Sequence, residues 1–127
     1  MKYFRKLEGG KVVVTDEKGS EVLRIEEVIE GKKAFFKIIG ELRSELACEL
    51  EDELTAAMTV CKDIRIDLSE MIFIAGAGLK NMLRIQKETE RTEDMTFVIC
   101  GLSDKVKEIF DENGFLDLFE IELEGKE

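Results

Sequence analysis

Residues 64–79 read IRIDLSEMIFIAGAGL, and no other stretch limits the possible folds as strongly. Ile64, Ile66 and Leu68 alternate with Asp63, Arg65 and Asp67, the period-two pattern of a strand with one buried face. An apolar run at 71–74 then leads to Ala75, Gly76, Ala77 and Gly78. Beyond them Leu79, Met82, Leu83 and Gln86 recur at helical spacing, with Lys80, Arg84, Lys87 and Glu88 on the outward side. A strand, a small-residue loop and a helix bring bare backbone N–H groups to a surface. Residues 70–88 contain no Ser, Thr, Tyr, His or Cys. The loop is therefore suited to contact and offers no hydroxyl for modification.

The flanking sequence extends this unit in both directions. Upstream, the apolar run at 12–15, the alternation of Leu23 and Ile25, and the stretch 34–39 are separated by turn signals at 16–19 and 30–33. These spacings predict antiparallel hairpins, with Gly40 closing the last strand. Leu42, Leu46, Leu50, Leu54 and Met58 then repeat every fourth residue, widened by Ala47, Ala57 and Cys61. That pattern predicts an amphipathic helix with Glu45, Glu49, Glu51, Asp52 and Glu53 mainly on its wet side. The acidic run is either a solvated face or a docking surface for a basic partner. Downstream, residues 95–100 read as a strand covered on both faces. Ser103 reads as an N-cap, Val106, Ile109 and Phe110 as a buried stripe, and Gly114 as a helix stop. Leu118, Phe119, Ile121 and Leu123 predict a last short strand. A strand, a helix of about fourteen residues and another strand imply a right-handed parallel crossover.

Composition narrows the function classes. A chain of 127 residues with 44% apolar content fits one globular domain. A net charge of −10 argues against a phosphate-binding nucleic-acid surface and against adsorption to anionic lipid. No apolar run reaches the roughly 18–20 residues of a membrane span, and the first ten residues lack the apolar core of a secretory signal. Cys48, Cys61 and Cys100 show no CxxC spacing and fit reduced, mostly buried thiols in a cytoplasmic protein. Histidine is absent, which removes the commonest general base and metal ligand. The carboxylates follow wet faces instead of converging. An enzyme, a bound cofactor and a metal site are accordingly not expected.

The ordered pieces resemble the STAS domain, the family of anti-sigma factor antagonists and sulfate-transporter cytoplasmic domains. Residues 36–42 (FKIIGEL) are similar to the family's strand ending in Gly-Glu-Leu, and residues 64–73 to its central Asp-Leu-Ser-x-x-x-Phe segment. Residues 74–79 lie where the family usually has Asp-Ser-Ser-Gly-Leu or Asp-Ser-Ala-Gly-Leu. Residues 99–106 and 110–116 resemble its last strand and helix. The resemblance spans about 21–121. It implies an α/β fold: a STAS-like mixed sheet with helices packed on one face, here preceded by an N-terminal β-hairpin. It divides the chain into an N-terminal β extension, 1–20, and the STAS-like domain, 21–127.

The resemblance also implies function by binding. In the anti-sigma antagonists, a kinase-type anti-sigma factor binds this loop and phosphorylates the serine after the aspartate. Here Ala75 and Gly76 stand at those two positions, so Gly76 is a degenerate phosphoacceptor position. Arg43 stands where the family often has aspartate, and few residues after Leu123 remain for the family's final helix. The expected activity is a non-enzymatic protein-interaction module of the bacterial cytoplasm, regulating transcription without phosphorylation at this loop. Its expected contact residues are Ala75, Gly76, Ala77, Gly78, Leu79, Lys80 and Asn81, bordered by Glu41 and Arg43. The expected partner is a protein such as a serine-kinase-type anti-sigma factor. A scaffold role in a stress-signalling or lipid-transport assembly and a small-ligand or anion sensor are the alternatives.

Overall fold

The computed structural model describes residues 1–122. Its strands are β1 (Tyr3–Glu8), β2 (Lys11–Asp16), β3 (Glu21–Glu30), β4 (Lys33–Leu42), β5 (Asp63–Ile74), β6 (Thr96–Leu102) and β7 (Glu120–Ile121). Its helices are α1 (Ala47–Met58), α2 (Gly76–Arg91) and α3 (Asp104–Glu112). The strands form one seven-stranded sheet in chain order. β1 to β4 pair antiparallel through short turns, and β4 to β7 pair parallel. The switch follows from connection length, since a parallel neighbour requires a crossover and here each crossover carries a helix.

The sheet buries one face against the helices. Ala34, Phe36 and Ile38 of β4, Ile64, Ile66 and Leu68 of β5, and Phe97 and Ile99 of β6 are buried. They share one core with Leu50 and Leu54 of α1, Met82 and Ile85 of α2, and Val106 and Phe110 of α3. Burying each of the larger side chains among them contributes about 1.5–3 kcal/mol before chain entropy is counted. The opposite face carries Phe35, Lys37, Arg65 and Asp67, with an ion pair between Lys37 and Glu70.

Several expectations need correction. Gly40 does not close its strand. It sits at φ +99° in a bulge, where a side chain would strike the Val22 carbonyl, and β4 runs on to Leu42. Leu42 therefore belongs to a strand, and a 3-10 turn at Ser44–Leu46 precedes α1. Only Cys61 of the three thiols is buried, whereas Cys48 is exposed on α1 and Cys100 is half-buried. Ser103 caps α3 as expected: its hydroxyl accepts the Val106 N–H at 3.2 Å and donates to the Met71 carbonyl at 2.6 Å. The expected last strand is the two-residue β7, and Leu123 lies outside the described residues.

The N-terminal hairpin is longer than the run at 12–15 implied. Gly9 and Gly10, both at positive φ, close a two-residue turn that pairs β1 with β2. Arg5 of β1 reaches over the sheet to α1, with Nε 2.9 Å from Glu49 and Nη2 3.9 Å from Glu53. Part of the acidic face of α1 is thus engaged within the chain.

Candidate functional site

The small-residue stretch lies where β4 and β5 end and α2 begins. The Ala75 N–H donates to the Leu42 carbonyl at 2.9 Å, tying the start of α2 to the end of β4. No separate loop intervenes: Ala75 occupies the N-cap position with extended backbone, and Gly76 is already helical. Ala75 has no side-chain acceptor, and the first turn of α2 holds no acidic residue. The amide dipoles at this end are therefore not offset by a side chain of that turn.

The two glycines do different things. A Cβ on Gly78 would lie 2.8 Å from Leu42 Cδ2 and 3.0 Å from Ile74 Cγ1. Gly78 is buried, and its missing side chain lets α2 sit close against the strand ends. A Cβ on Gly76 would meet no atom within 4 Å, so Gly76 faces outward. Neither glycine needs positive φ. Ala75, Gly78 and Leu79 point inward, Gly76, Ala77 and Lys80 are exposed, and Asn81 is half-exposed. The outward shelf is consequently smaller than residues 75–81.

Two large apolar side chains are also exposed nearby in the chain. Ile72 is 56% exposed and Phe73 40% exposed, just before the start of α2. The sequence contained the signal, because a four-residue apolar run cannot place all its members on one face of a strand. Phe73 is the register partner of Glu41 on β4. Glu41 in turn holds Arg43, its Oε1 accepting from Nε at 3.4 Å and its Oε2 from Nη2 at 3.2 Å. Arg43 Nη1 donates to the Tyr3 hydroxyl at 3.0 Å, and the guanidinium lies 5.8 Å from the Tyr3 ring centroid. The Tyr3 hydroxyl first, and the Glu41 carboxylate second, raise the guanidinium's already high pKa. Arg43 thus links Glu41 at the end of β4 to Tyr3 of β1, one residue beyond the Leu42 carbonyl that accepts the Ala75 N–H.

Elsewhere, burial first and the Asp67 and Glu122 charges second push the Cys100 thiol above its ordinary pKa, opposite to the shift that activates a nucleophile. Among the described residues no group of three His, Cys, Asp or Glu side chains is placed to hold a metal ion. Among them, too, no helix is long and apolar enough to cross a membrane.

Comparison with known proteins agrees with this architecture. The model of the STAS domain family matches residues 22–127. A protein of Bordetella bronchiseptica named as an anti-sigma factor antagonist, BtrV, is 31% identical over 83 residues, which is 65% of this chain and 71% of BtrV. The crystal structure of an anti-sigma factor antagonist from Mycobacterium paratuberculosis superposes with a TM-score of 0.69 at 16% identity, covering 80% of this chain and 86% of that one. Unphosphorylated SpoIIAA, also an anti-sigma factor antagonist, superposes with a TM-score of 0.65 at 15% identity, covering 81% and 90%. The phosphorylated form of SpoIIAA from Bacillus gives 0.60 at 14% identity, covering 81% and 93%. The structural likenesses carry the fold, and the family match together with the BtrV identity carries the kinship: this chain belongs to the STAS domain family and is an anti-sigma factor antagonist-like STAS domain.

Proposed function

We propose that the chain acts by docking a protein partner on the shelf at the start of α2, without phosphoryl transfer at residues 75 and 76. The observation that carries this reading is the open outward space at Gly76, bordered by exposed Ile72 and Phe73. A partner backbone can approach Gly76 closely because no side chain stands in the way. Ile72 and Phe73 supply apolar area at the border. The start of α2 adds about 0.3–1 kcal/mol for a partner carboxylate. Ala75 offers no charge and Gly76 no oxygen, so the switch of about −1.5 to −2 charge units that a phosphate would bring is missing from this place. The chain then serves as an unswitched antagonist in the bacterial cytoplasm, and its partner is a serine-kinase-type anti-sigma factor.

Glu41, Arg43, Lys80 and Asn81 border the same shelf and belong to the proposed interface. The anion-sensor reading is weaker. It would place an anion at the start of α2, where Lys80 is the one cation of the first turn and the Gly pattern is not that of a phosphate-binding loop.

Binding of a serine-kinase-type anti-sigma factor from the source organism to the full chain tests the proposal. Gly76→Arg places a long charged side chain on the shelf and should abolish binding while the circular dichroism spectrum stays folded. Undiminished binding by that variant would move the interface elsewhere.

A further inference from the structure

We infer that β1 is an edge strand held shut by charge: Arg5, set against Glu49 and Glu53 of α1, latches it to the domain, and rising ionic strength opens β1 while the rest of the sheet stays folded.

Burial divides the N-terminal hairpin unevenly. Five of the six residues of β1 are exposed, Phe4 and Leu7 among them. Tyr3 alone of this strand packs against the core, and only in part. Across the turn, β2 buries Val12, Val13 and Val14. The break in apolar packing therefore falls between β1 and β2, inside the segment that precedes the family match at residue 22. β1 lies at the end of the sheet and pairs with β2 alone. A strand with so few buried apolar contacts opens at lower free energy than the core does.

Beyond the ladder, polar contacts hold β1. Arg5 Nε lies 2.9 Å from Glu49 and Nη2 3.9 Å from Glu53. Arg43 donates to the Tyr3 hydroxyl at 3.0 Å, and the Lys2 N–H donates to Glu17 at 2.9 Å. Glu27 of β3 faces the same side of the sheet as buried Phe36, its register partner. Burial first and the Glu53 charge second raise its carboxyl, so Glu27 shares the acidic field of α1. β2 contributes only Val12 and Val14 to this side. Lys6 and Lys11 are paired elsewhere, with Glu8 and Glu26. Among the described residues no cation other than Arg5 pairs with Glu49 or Glu53. Opening β1 would thus leave three carboxylates without their counter-charge.

Arg5 keeps 47% of its side-chain surface in solvent, so salt screens this attraction. With β1 shut, the outer edge of the sheet carries Arg5 and Lys6, charges that discourage pairing with another strand. With β1 open, the edge becomes β2 and its three valines. The latch accordingly sets how often a pairing-prone edge is presented.

Amide hydrogen exchange of the labelled full chain, at low ionic strength and at about 1 M NaCl, tests this. Amides of the β1–β2 ladder should exchange about two- to five-fold faster at high salt, with those of β4, β5 and β6 unchanged. Arg5→Gln should show the faster ladder exchange already at low ionic strength and lose the salt response. Arg5→Glu should exchange faster still, and adding Glu49→Arg should restore slow exchange. Ladder exchange in Arg5→Gln equal to that of the unaltered chain would overturn the latch. So would β1 amides that exchange in step with those of β5 under every condition. If Arg5→Gln does not fold, the salt response of the unaltered chain decides: acceleration confined to the ladder supports the latch, and none overturns it.

Discussion

A Cβ placed on Gly78 would lie 2.8 Å from Leu42 Cδ2, whereas one placed on Gly76, two residues earlier in the same helix, would touch nothing within 4 Å. The pair separates a packing glycine from a surface glycine. Gly78→Ala should destabilise the domain by about 1–3 kcal/mol, the usual cost of overpacking. Gly76→Ala should be neutral or stabilise by about 0.4–1 kcal/mol, because alanine narrows the unfolded ensemble and suits a helix. Urea denaturation midpoints of the two variants check the contrast.

Ala75 occupies the N-cap position of α2 without an acceptor for the first-turn N–H groups. Ala75→Ser should therefore stabilise the domain by about 1 kcal/mol, the typical value of a cap hydroxyl. A thermal midpoint several degrees higher is the expected readout. An unchanged midpoint would mean that those N–H groups are already satisfied by solvent at no cost.

Restoring both family residues is a sharper experiment. The double variant Ala75→Asp, Gly76→Ser supplies a cap carboxylate and an outward hydroxyl at a position with open space. Incubated with ATP and a serine-kinase-type anti-sigma factor, it should gain one phosphate at residue 76. The unaltered chain should gain none in residues 70–88, since that window holds no Ser, Thr or Tyr. Intact mass and peptide mapping distinguish the two.

Glu27 sits on β3 beside Phe36 of β4, on the face of the sheet that meets the helices. Burial first, and the Glu53 charge second, raise its carboxyl above the ordinary value. A raised value means that the folded chain holds this proton more tightly than the unfolded chain does. The stabilising contribution is complete below the unfolded value and is lost as pH rises through the folded one. Glu27→Gln should thus stabilise the domain modestly at about pH 7, and the gain should shrink toward about pH 4. Denaturation midpoints of both proteins across that interval check the sign.

Much of this arrangement was legible in the sequence because its signals are local. The alternation at Ile64, Ile66 and Leu68, the helical spacing at Leu79 and Met82, and the cap at Ser103 each need only a few neighbouring residues, and all three lie where expected. Leu42 misled because its four-residue spacing from Leu46 suits a helix as well as the last residue of a strand continued through a bulge at Gly40. β1 gave little signal because Phe4 and Leu7 are exposed, so its alternation marks no buried face. The Tyr3–Arg43 contact joins residues 40 apart, and nothing in the spacing announces such a pair. At the shelf, sequence alone could not tell that Ala75, Gly78 and Leu79 turn inward, because that depends on how closely α2 approaches Leu42 and Ile74.

The most direct measurement is an amide-resolved NMR titration of the labelled full chain with a serine-kinase-type anti-sigma factor. The account predicts that the amides of Phe73, Gly76, Ala77 and Lys80 shift or broaden first, while those of α3 and β7 stay in place. Perturbation confined to α3 and β7, with Gly76 and Ala77 unmoved, would contradict it.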